Sequence, residues 1–417
     1  MTNKKLKISL VLLLIACILC ACNRESKKED VGKPDYAVIR TSKYKECKTQ
    51  IVLLDENLKY AGEKEIDYGN VGGCGFNIPT DMNGKTYEIS QAYGDEMFPS
   101  KIIEIDDNDW SCKSYDFDRT NITDLAVTNK YVYAISNLNG VIYIEKCPIN
   151  GGKKDIVTMK EAVEDGTGIY IYNVGDTLLY GILESSLSLY KCDFEGKKTE
   201  LLTKIKDIGE MIPIFSEEYN GKLVLATSKN VLLISPDTGN TETINIPEGE
   251  NDIKSIYKDG DILYISRAEF YEQNDNTEII KYDLKSKKVM DTYKVKTSLM
   301  QFEVKNNKLV IITGDTILKY SLKDNGEVAK EGEYQVKHSK YQYISAGFFV
   351  DKWNKNEFIT LSRDEFCDID SGIVCIVVGI AVAIATISGL GTYYGYNNIK
   401  SKKIGEVYNN EWDKSMD

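Results

Sequence analysis

The chain has 417 residues, of which 42% are hydrophobic and 28% are charged, a composition that excludes a disordered chain. The formal net charge of -12 argues against nucleic acid or an anionic membrane surface as the main partner. The single histidine, His338, leaves little scope for histidine-based catalysis or metal binding.

The N-terminus has the pattern of an export signal. Lys4, Lys5 and Lys7 precede an uncharged apolar run over 8–21. As a helix this run would cover about 21 Å, which is short of the roughly 30 Å hydrocarbon core of a bilayer. A cleaved signal over 1–21 is therefore favoured over the alternative, an uncleaved signal anchor.

The apolar run ends in Leu19-Cys20-Ala21-Cys22, which resembles the lipobox of bacterial lipoproteins. The resemblance implies cleavage before Cys22 and attachment of a diacylglyceryl group, with fatty acids such as palmitate, to its thiol. Residues 22–34, rich in Lys, Glu and Ser, then form a solvated, lipidated tether. We expect the body of the protein to lie outside the cytoplasm, in contact with membrane lipid.

A repeated pattern fills the predicted ectodomain, residues 35–365. In each copy a polar turn precedes a β-branched or aromatic run, and a second such run follows after a gap. The pairs of runs lie at 35–39 and 50–55, 83–87 and 101–106, 131–135 and 141–144, 175–180 and 187–190, 220–225 and 231–234, 259–264 and 279–283, and 307–312 and 317–320. Copies recur about every 45 residues, which is the size of a propeller blade.

This period predicts an all-β fold, a β-propeller with seven blades favoured and eight as the alternative. Short strands cannot bury both sheet faces alone, whereas radial stacking covers the faces and leaves only short edges. A pair of β-sandwiches would not explain the regular period. The segments 341–350 and 354–361 lack a full copy, and we expect them to supply a late strand that completes the first blade.

One copy shows the residues of a resemblance to a known class of repeats. The strand Leu189-Tyr190-Lys191-Cys192-Asp193 leads into the turn Asp193-Phe194-Glu195-Gly196-Lys197, which is similar to the quinoprotein-like and WD40-like bacterial propeller repeats. The resemblance implies the propeller fold. The copies lack the Gly-His and Trp-Asp signatures of WD40 blades, so it implies no cofactor.

The exported cysteines permit disulfides but do not define them. The six are Cys47, Cys74, Cys112, Cys147, Cys192 and Cys367. Cys147 and Cys192 occupy equivalent positions in neighbouring blades, usually too far apart for a disulfide, and we expect free thiols there.

Motifs for chemistry are sparse, and the sequence predicts no catalytic, cofactor-binding or metal site. The acidic turn at Asp106, Asp107 and Asp109 lacks the EF-hand order of ligands, so we interpret it as a solvated turn. His338 lies among polar residues and is interpreted as a loop residue.

A second membrane segment closes the chain. Residues 371–399 carry no charge. This segment is long enough for a transmembrane helix, which we favour over the alternative, a buried core segment. Lysines follow this segment, so the positive-inside rule puts the tail 400–417 in the cytoplasm. Small residues recur along the helix and predict close packing against a second copy or a membrane partner. They are Ala381, Ala385, Gly389, Gly391 and Gly395.

These features together favour a non-enzymatic, membrane-anchored propeller that binds a protein or envelope ligand on one rim. Two alternatives remain open at this point. One is a carboxylate-based glycan hydrolase or lyase on the same scaffold. The other is an accessory subunit of a membrane complex, recruited through the C-terminal helix. The fold alone does not choose among them.

Overall fold

The computed structural model describes residues 34–41, 48–72, 80–91, 100–119, 121–163, 168–195, 197–209, 215–268, 276–336 and 343–350. Within these ranges, no helix has the length and apolar character that a membrane span requires. The predicted helix over 371–399 and the predicted signal and lipobox lie outside the described residues.

The described residues form 28 β-strands. The first fourteen are β1 (Tyr36–Thr41), β2 (Thr49–Leu54), β3 (Tyr60–Ile66), β4 (Thr80–Asp81), β5 (Lys85–Ser90), β6 (Lys101–Asp106), β7 (Cys112–Asp116), β8 (Ile122–Val127), β9 (Tyr131–Leu138), β10 (Val141–Pro148), β11 (Asp155–Ala162), β12 (Gly168–Val174), β13 (Thr177–Leu183) and β14 (Leu187–Asp193). The remainder are β15 (Lys198–Ile205), β16 (Phe215–Tyr219), β17 (Lys222–Ala226), β18 (Val231–Ile234), β19 (Thr241–Thr243), β20 (Ile253–Asp259), β21 (Ile262–Arg267), β22 (Thr277–Asp283), β23 (Lys288–Val295), β24 (Gln301–Lys305), β25 (Lys308–Ile312), β26 (Thr316–Leu322), β27 (Val328–Gln335) and β28 (Tyr343–Phe349).

These strands make seven four-stranded antiparallel sheets, and each sheet is one blade. Blade 1 has the order β28-β1-β2-β3, and blades 2 to 7 each contain four consecutive strands, from β4–β7 to β24–β27. The first strands of neighbouring sheets touch, from β8 with β12 through to β24 with β28, so they surround a common axis. The prediction of a seven-bladed β-propeller is confirmed.

The ring is closed by the last strand, as the sequence predicts. Strand β28 pairs antiparallel with β1, so the two ends of the described chain share blade 1. Gln301 of blade 7 exchanges two hydrogen bonds with the Gly347 backbone of β28, at 3.0 and 3.2 Å. Glu303 accepts a third from the Phe349 amide at 3.0 Å. The predicted continuation over 354–361 lies outside the described residues.

Apolar side chains fill every junction between neighbouring blades. Seven hydrophobic clusters occur, one at each junction, including the junction between blades 7 and 1. Trp110 is fully buried between blades 1 and 2 and packs on Phe348 of the closing strand. Because successive residues of a strand face opposite neighbours, each sheet contributes to two clusters.

Tight turns join the first and second strands of blades 4 to 7. In blade 5 the turn is Asn220-Gly221, with backbone φ angles of 49° and 71°. Both residues adopt the left-handed conformation of a two-residue hairpin turn, which Asn and Gly tolerate best. Blades 4, 6 and 7 have two-residue turns at the same place, 175–176, 260–261 and 306–307. This shared turn length fixes one register for the first strands of four consecutive blades.

Candidate functional site

The first strands of blades 4 to 7 carry polar side chains at one equivalent position. Each lies three residues before its hairpin turn and pairs with the matching residue of the second strand. In blade order they are Tyr172, Glu217, Tyr257 and Glu303. We call this set the Tyr–Glu arc. At the same position blades 1 to 3 have Phe348, Thr80 and Ala126, so the polar arc covers one side of the axial channel.

Carboxyl groups of the channel connect the first strands of adjacent blades. The Glu303 carboxyl of blade 7 accepts from Phe349 of blade 1, as described above. Asp124 of blade 3 accepts from the Ile171 amide of blade 4 at 2.9 Å. The carboxyl of Glu217 in blade 5 lies beside the backbone amide of Lys258 in blade 6. This amide lowers the pKa of Glu217, although burial raises it by more. We call these three groups the carboxyl clasps.

Enclosure by the ring makes ionisation of these carboxyls costly. Burial raises the pKa of Asp124 and of Glu217 to about 7, and it raises the pKa of Glu303 well above its ordinary value. Asp81 of blade 2 keeps contact with channel solvent, yet protein surrounds it, and this enclosure raises its pKa to about 6. The negative charge of Asp81 raises the pKa of both Glu217 and Glu303, so these groups lie near one another across the channel.

Two lysines oppose these acids. Lys305 lowers the pKa of Asp81 and of Glu303, and Lys258 lowers that of Glu217. Lys305 also lies over the Phe349 ring, with its Nζ atom 5.7 Å from the ring centre. The channel therefore contains positive and negative groups together.

Two buried tyrosine hydroxyls beside the channel have no hydrogen-bond partner among the residues that the structure describes. Tyr172, an arc residue, is 6% exposed, and Tyr36 of blade 1 is 1% exposed. Burial raises the pKa of both, with contributions from Asp124 to Tyr172 and from Glu303 to Tyr36. Each hydroxyl thus lies near a channel carboxyl. A buried hydroxyl without a partner costs free energy, which a bound ligand could recover.

A further carboxyl is buried away from the arc, between blades 1 and 2. Glu88 is fully buried, and neither carboxyl oxygen makes a hydrogen bond within the described part of the chain. Only the Ile89 amide lies near enough to lower its pKa, against the larger effect of burial, which raises it. The other blades have buried apolar residues in this position. They are Val38, Ala134, Tyr180, Leu225, Ile265 and Ile311.

The acidic turn predicted as solvated is built around its own carboxylates. Asp106 accepts hydrogen bonds from the backbone and side chain of Asn108, and Asp109 accepts from the Ser111 amide. Asp107 is buried and accepts from the Thr86 hydroxyl at 3.1 Å. In the ranges that the structure covers, no three Asp, Glu, His or Cys side chains come together as metal ligands.

The remaining predicted sites fall mostly beyond the described ranges. Cys22, His338 and the small residues of the predicted membrane helix all lie outside them. Cys112, Cys147 and Cys192 are described and are free thiols. Burial raises the pKa of Cys192 to about 12, so this thiol is unreactive at neutral pH.

The sequence analysis did not identify the Tyr–Glu arc. Its signal is nevertheless present, because each member stands three residues before a two-residue turn of the type that the repeats contain. Aligning the repeats on these turns, rather than on the apolar runs after them, brings the four residues into one column. The first strands lack a continuous apolar run, as Phe215–Tyr219 shows, so the apolar repeats do not reveal them.

Several solved structures are similar in fold to this ring. The periplasmic gluconolactonase PpgL from Pseudomonas aeruginosa matches with a TM-score of 0.55 and 11% identity, covering 76% of this chain and 99% of that one. TolB from Acinetobacter baumannii matches with a TM-score of 0.39 and 11% identity over 64% and 65% of the chains. Apo AztD from Citrobacter koseri matches with a TM-score of 0.44 and 9% identity over 76% and 99%.

No protein-family model matches the chain, and the search of curated proteins gave no match. The gluconolactonase similarity supports the propeller fold. At 11% identity it carries no information on activity.

Proposed function

We propose that this chain is an extracytoplasmic β-propeller, anchored to the membrane, that binds a ligand in its axial channel. The observation that carries the proposal is the Tyr–Glu arc, a set of enclosed polar groups that includes a buried hydroxyl without a partner in the described part of the chain. Such convergent polar groups in a concave, enclosed site are typical of ligand binding. The anchoring part of the proposal rests on the lipobox resemblance at Cys22 and on the uncharged segment 371–399.

Binding is favoured over catalysis because two of the channel carboxyls already form hydrogen bonds that connect neighbouring blades. Glu303 and Asp124 accept backbone hydrogen bonds from the next blade at 3.0 and 2.9 Å. A carboxyl that holds a neighbouring strand is a poor candidate for repeated proton transfer, since each transfer would weaken the ring.

Glycoside hydrolysis is a second candidate, and one observation favours it. The pKa values of Asp81 and Glu217 rise to about 6 and about 7, so both carboxyls are partly protonated near neutral pH. A protonated carboxyl is the general acid that such hydrolysis requires. Turnover of aryl glycosides that is lost in Glu217→Gln would favour this candidate over binding alone.

The binding proposal is tested with two neighbouring carboxyls. The full-length protein, in detergent, is heated with and without a low-molecular-weight fraction of the cell envelope. We expect the fraction to raise the melting temperature of the wild type and of Glu218→Gln, but not of Glu217→Gln. Glu218 is the matched control because it is exposed and accepts from the Gly175 amide at the hairpin turn. An equal rise in both variants, or no rise in the wild type, would contradict the proposal.

The proposal also includes a partner within the membrane, either a second copy of the chain or another membrane protein, that packs against the predicted helix over 371–399. Two acyl chains on Cys22 would already anchor the protein stably, so a helix would be redundant as an anchor alone. Ile at Ala385 and Gly389 should weaken self-association or co-purification of a membrane partner. Ile at Gly379 and Ala383, on the opposite helix face, is the control. Equal effects from both pairs in a cross-linking assay would mean that the helix serves only as an anchor.

A further inference from the structure

We infer that the Tyr–Glu arc binds a neutral carbohydrate. The inference rests on the proposed function, because it names the class of ligand that the same channel takes. Three features of the arc and its surroundings support it: their hydrogen-bonding groups, their balance of charge and their aromatic faces.

The hydrogen-bonding groups match those of a sugar. Tyrosine hydroxyls both donate and accept, carboxylates accept, and lysines donate. A sugar hydroxyl likewise donates one hydrogen bond and accepts others, so it can satisfy each kind of group in the channel. The buried Tyr172 and Tyr36 hydroxyls, near Asp124 and Glu303, have no partner in the described chain. A hydroxyl-rich ligand would supply those partners.

The Tyr36 side chain reaches the inner strand of its blade. Its hydroxyl lies so close to the closing strand that a Cβ atom at Gly347 would come within 2.8 Å of it. Its ring also packs edge-to-face on Phe349, at 5.2 Å between ring centres. The hydroxyl is therefore held at the inner strand of blade 1, rather than at the outside of the blade.

The balance of charge disfavours a strongly charged ligand. Burial raises the pKa of Asp81, Glu217 and Glu303, and the Asp81 charge further raises those of Glu217 and Glu303, so the channel resists a full negative charge. Lys258 and Lys305 lie near the same carboxyls. A polyamine would meet these lysines, and an anion would meet the carboxylates. A neutral ligand avoids both repulsions.

Two partly exposed aromatic rings, Tyr170 and Tyr257, lie on inner strands of blades 4 and 6. Tyr170 and Tyr172 are stacked, with ring centres 6.5 Å apart and an interplanar angle of 14°. Tyr257 is half-buried and packs on Phe302 at 6.4 Å. Sugar rings have C–H faces that pack on aromatic side chains, while their hydroxyls bond to surrounding polar groups.

The test uses the full-length protein in an amine-oxide detergent, which has no sugar headgroup. Binding of maltose, N-acetylglucosamine, spermidine and gluconate is measured by saturation-transfer NMR and by calorimetric titration. We expect at least one of the two neutral sugars to bind more tightly than spermidine and gluconate. Tyr172→Phe should weaken the Kd of that sugar about threefold to tenfold, the effect of one neutral hydrogen bond. Tyr320→Phe, in the third strand of blade 7, is the control and should leave the Kd unchanged.

Folding defects are separated from binding by the melting temperature without ligand. It should not fall in Tyr172→Phe, because that hydroxyl has no partner in the described protein and its burial costs free energy. Tighter binding of spermidine or gluconate, an unaffected Kd in Tyr172→Phe, or no binding of either sugar would overturn the inference. If the envelope fraction still stabilises the wild type and not Glu217→Gln, the proposed function survives that result. If it does not, both fail.

Discussion

Replacement of Asp124 by Asn should change the stability of the ring in a pH-dependent way. The Asp124 carboxyl accepts hydrogen bonds from the Ile171 amide at 2.9 Å and from the Leu125 amide at 2.8 Å. Burial raises its pKa from 3.8 to about 7. The native state therefore binds more protons than the unfolded state between about pH 4 and pH 7, and stability falls as the pH rises through that window.

The shift in the pKa of Asp124 sets the size of the effect. A shift of about three pKa units corresponds to roughly 4 kcal/mol of the free energy of unfolding, and all of this stabilisation is lost only above pH 7. Partial contact of Asp124 with channel solvent reduces this figure, so we expect about 2 to 3 kcal/mol. Asn cannot ionise, and its amide nitrogen cannot accept a hydrogen bond, so Asp124→Asn loses one of these two bonds at every pH. Only the ionisation cost of the wild type depends on pH, so the stability of Asp124→Asn relative to the wild type should rise by about 2 to 3 kcal/mol between pH 5 and pH 8.5.

The assay is denaturant unfolding of the full-length protein at pH 5, 7 and 8.5, followed by far-UV circular dichroism. Asp176→Asn is the control, because Asp176 is exposed in the hairpin turn of blade 4. It should follow the wild type at every pH. A stability difference between Asp124→Asn and the wild type that stays constant from pH 5 to pH 8.5 would show that Asp124 does not titrate in this window.

Three further predictions concern packing and anchoring. Glu88→Met should raise the free energy of unfolding by about 2 kcal/mol or more at neutral pH, because it removes a buried carboxyl that has no hydrogen-bond partner among the described residues; an unchanged denaturation midpoint would contradict this. Gly347→Ala should destabilise the ring by about 1 to 3 kcal/mol, since a Cβ would lie 2.6 Å from Ile312. Gly314→Ala, with nothing within 4 Å of its Cβ, should be neutral in the same melting assay. Cys22→Ala should abolish labelling by radioactive palmitate and leave a larger precursor on gels, and normal processing would exclude the lipobox.

The fold could be predicted from the sequence because the middle strands of each blade are apolar throughout. The runs identified in the repeats correspond to the second and third strands, such as Lys222–Ala226 and Val231–Ile234, whose residues are almost all buried. Both faces of these strands pack on neighbouring blades, so the signal recurs in every copy. The closing strand could be predicted because the first blade is incomplete in the sequence, so a late segment has to supply its missing strand.

The first and last strands of the blades were harder to recognise, for physical reasons. Outer strands such as Lys198–Ile205 are largely exposed on both faces, so charged residues interrupt their pattern. Inner strands face the channel, where polar residues are tolerated, and β16 accordingly reads Phe-Ser-Glu-Glu-Tyr. The arc lies on these inner strands. Its members become a site only when seven blades bring distant segments to one axis, which no local pattern shows.

Ligand binding in the channel is tested most directly by hydrogen exchange of the inner strands. Strands β12, β16, β20 and β24 each have one edge that faces the axis and pairs with no other strand. Amides on that edge exchange unless a ligand or one of the carboxyl clasps covers them. With the low-molecular-weight envelope fraction added, we expect slower exchange in these four strands and unchanged exchange in the outer strands β15, β19, β23 and β27. Protection confined to the outer strands, or none in the inner strands of blades 4 to 7, would contradict it.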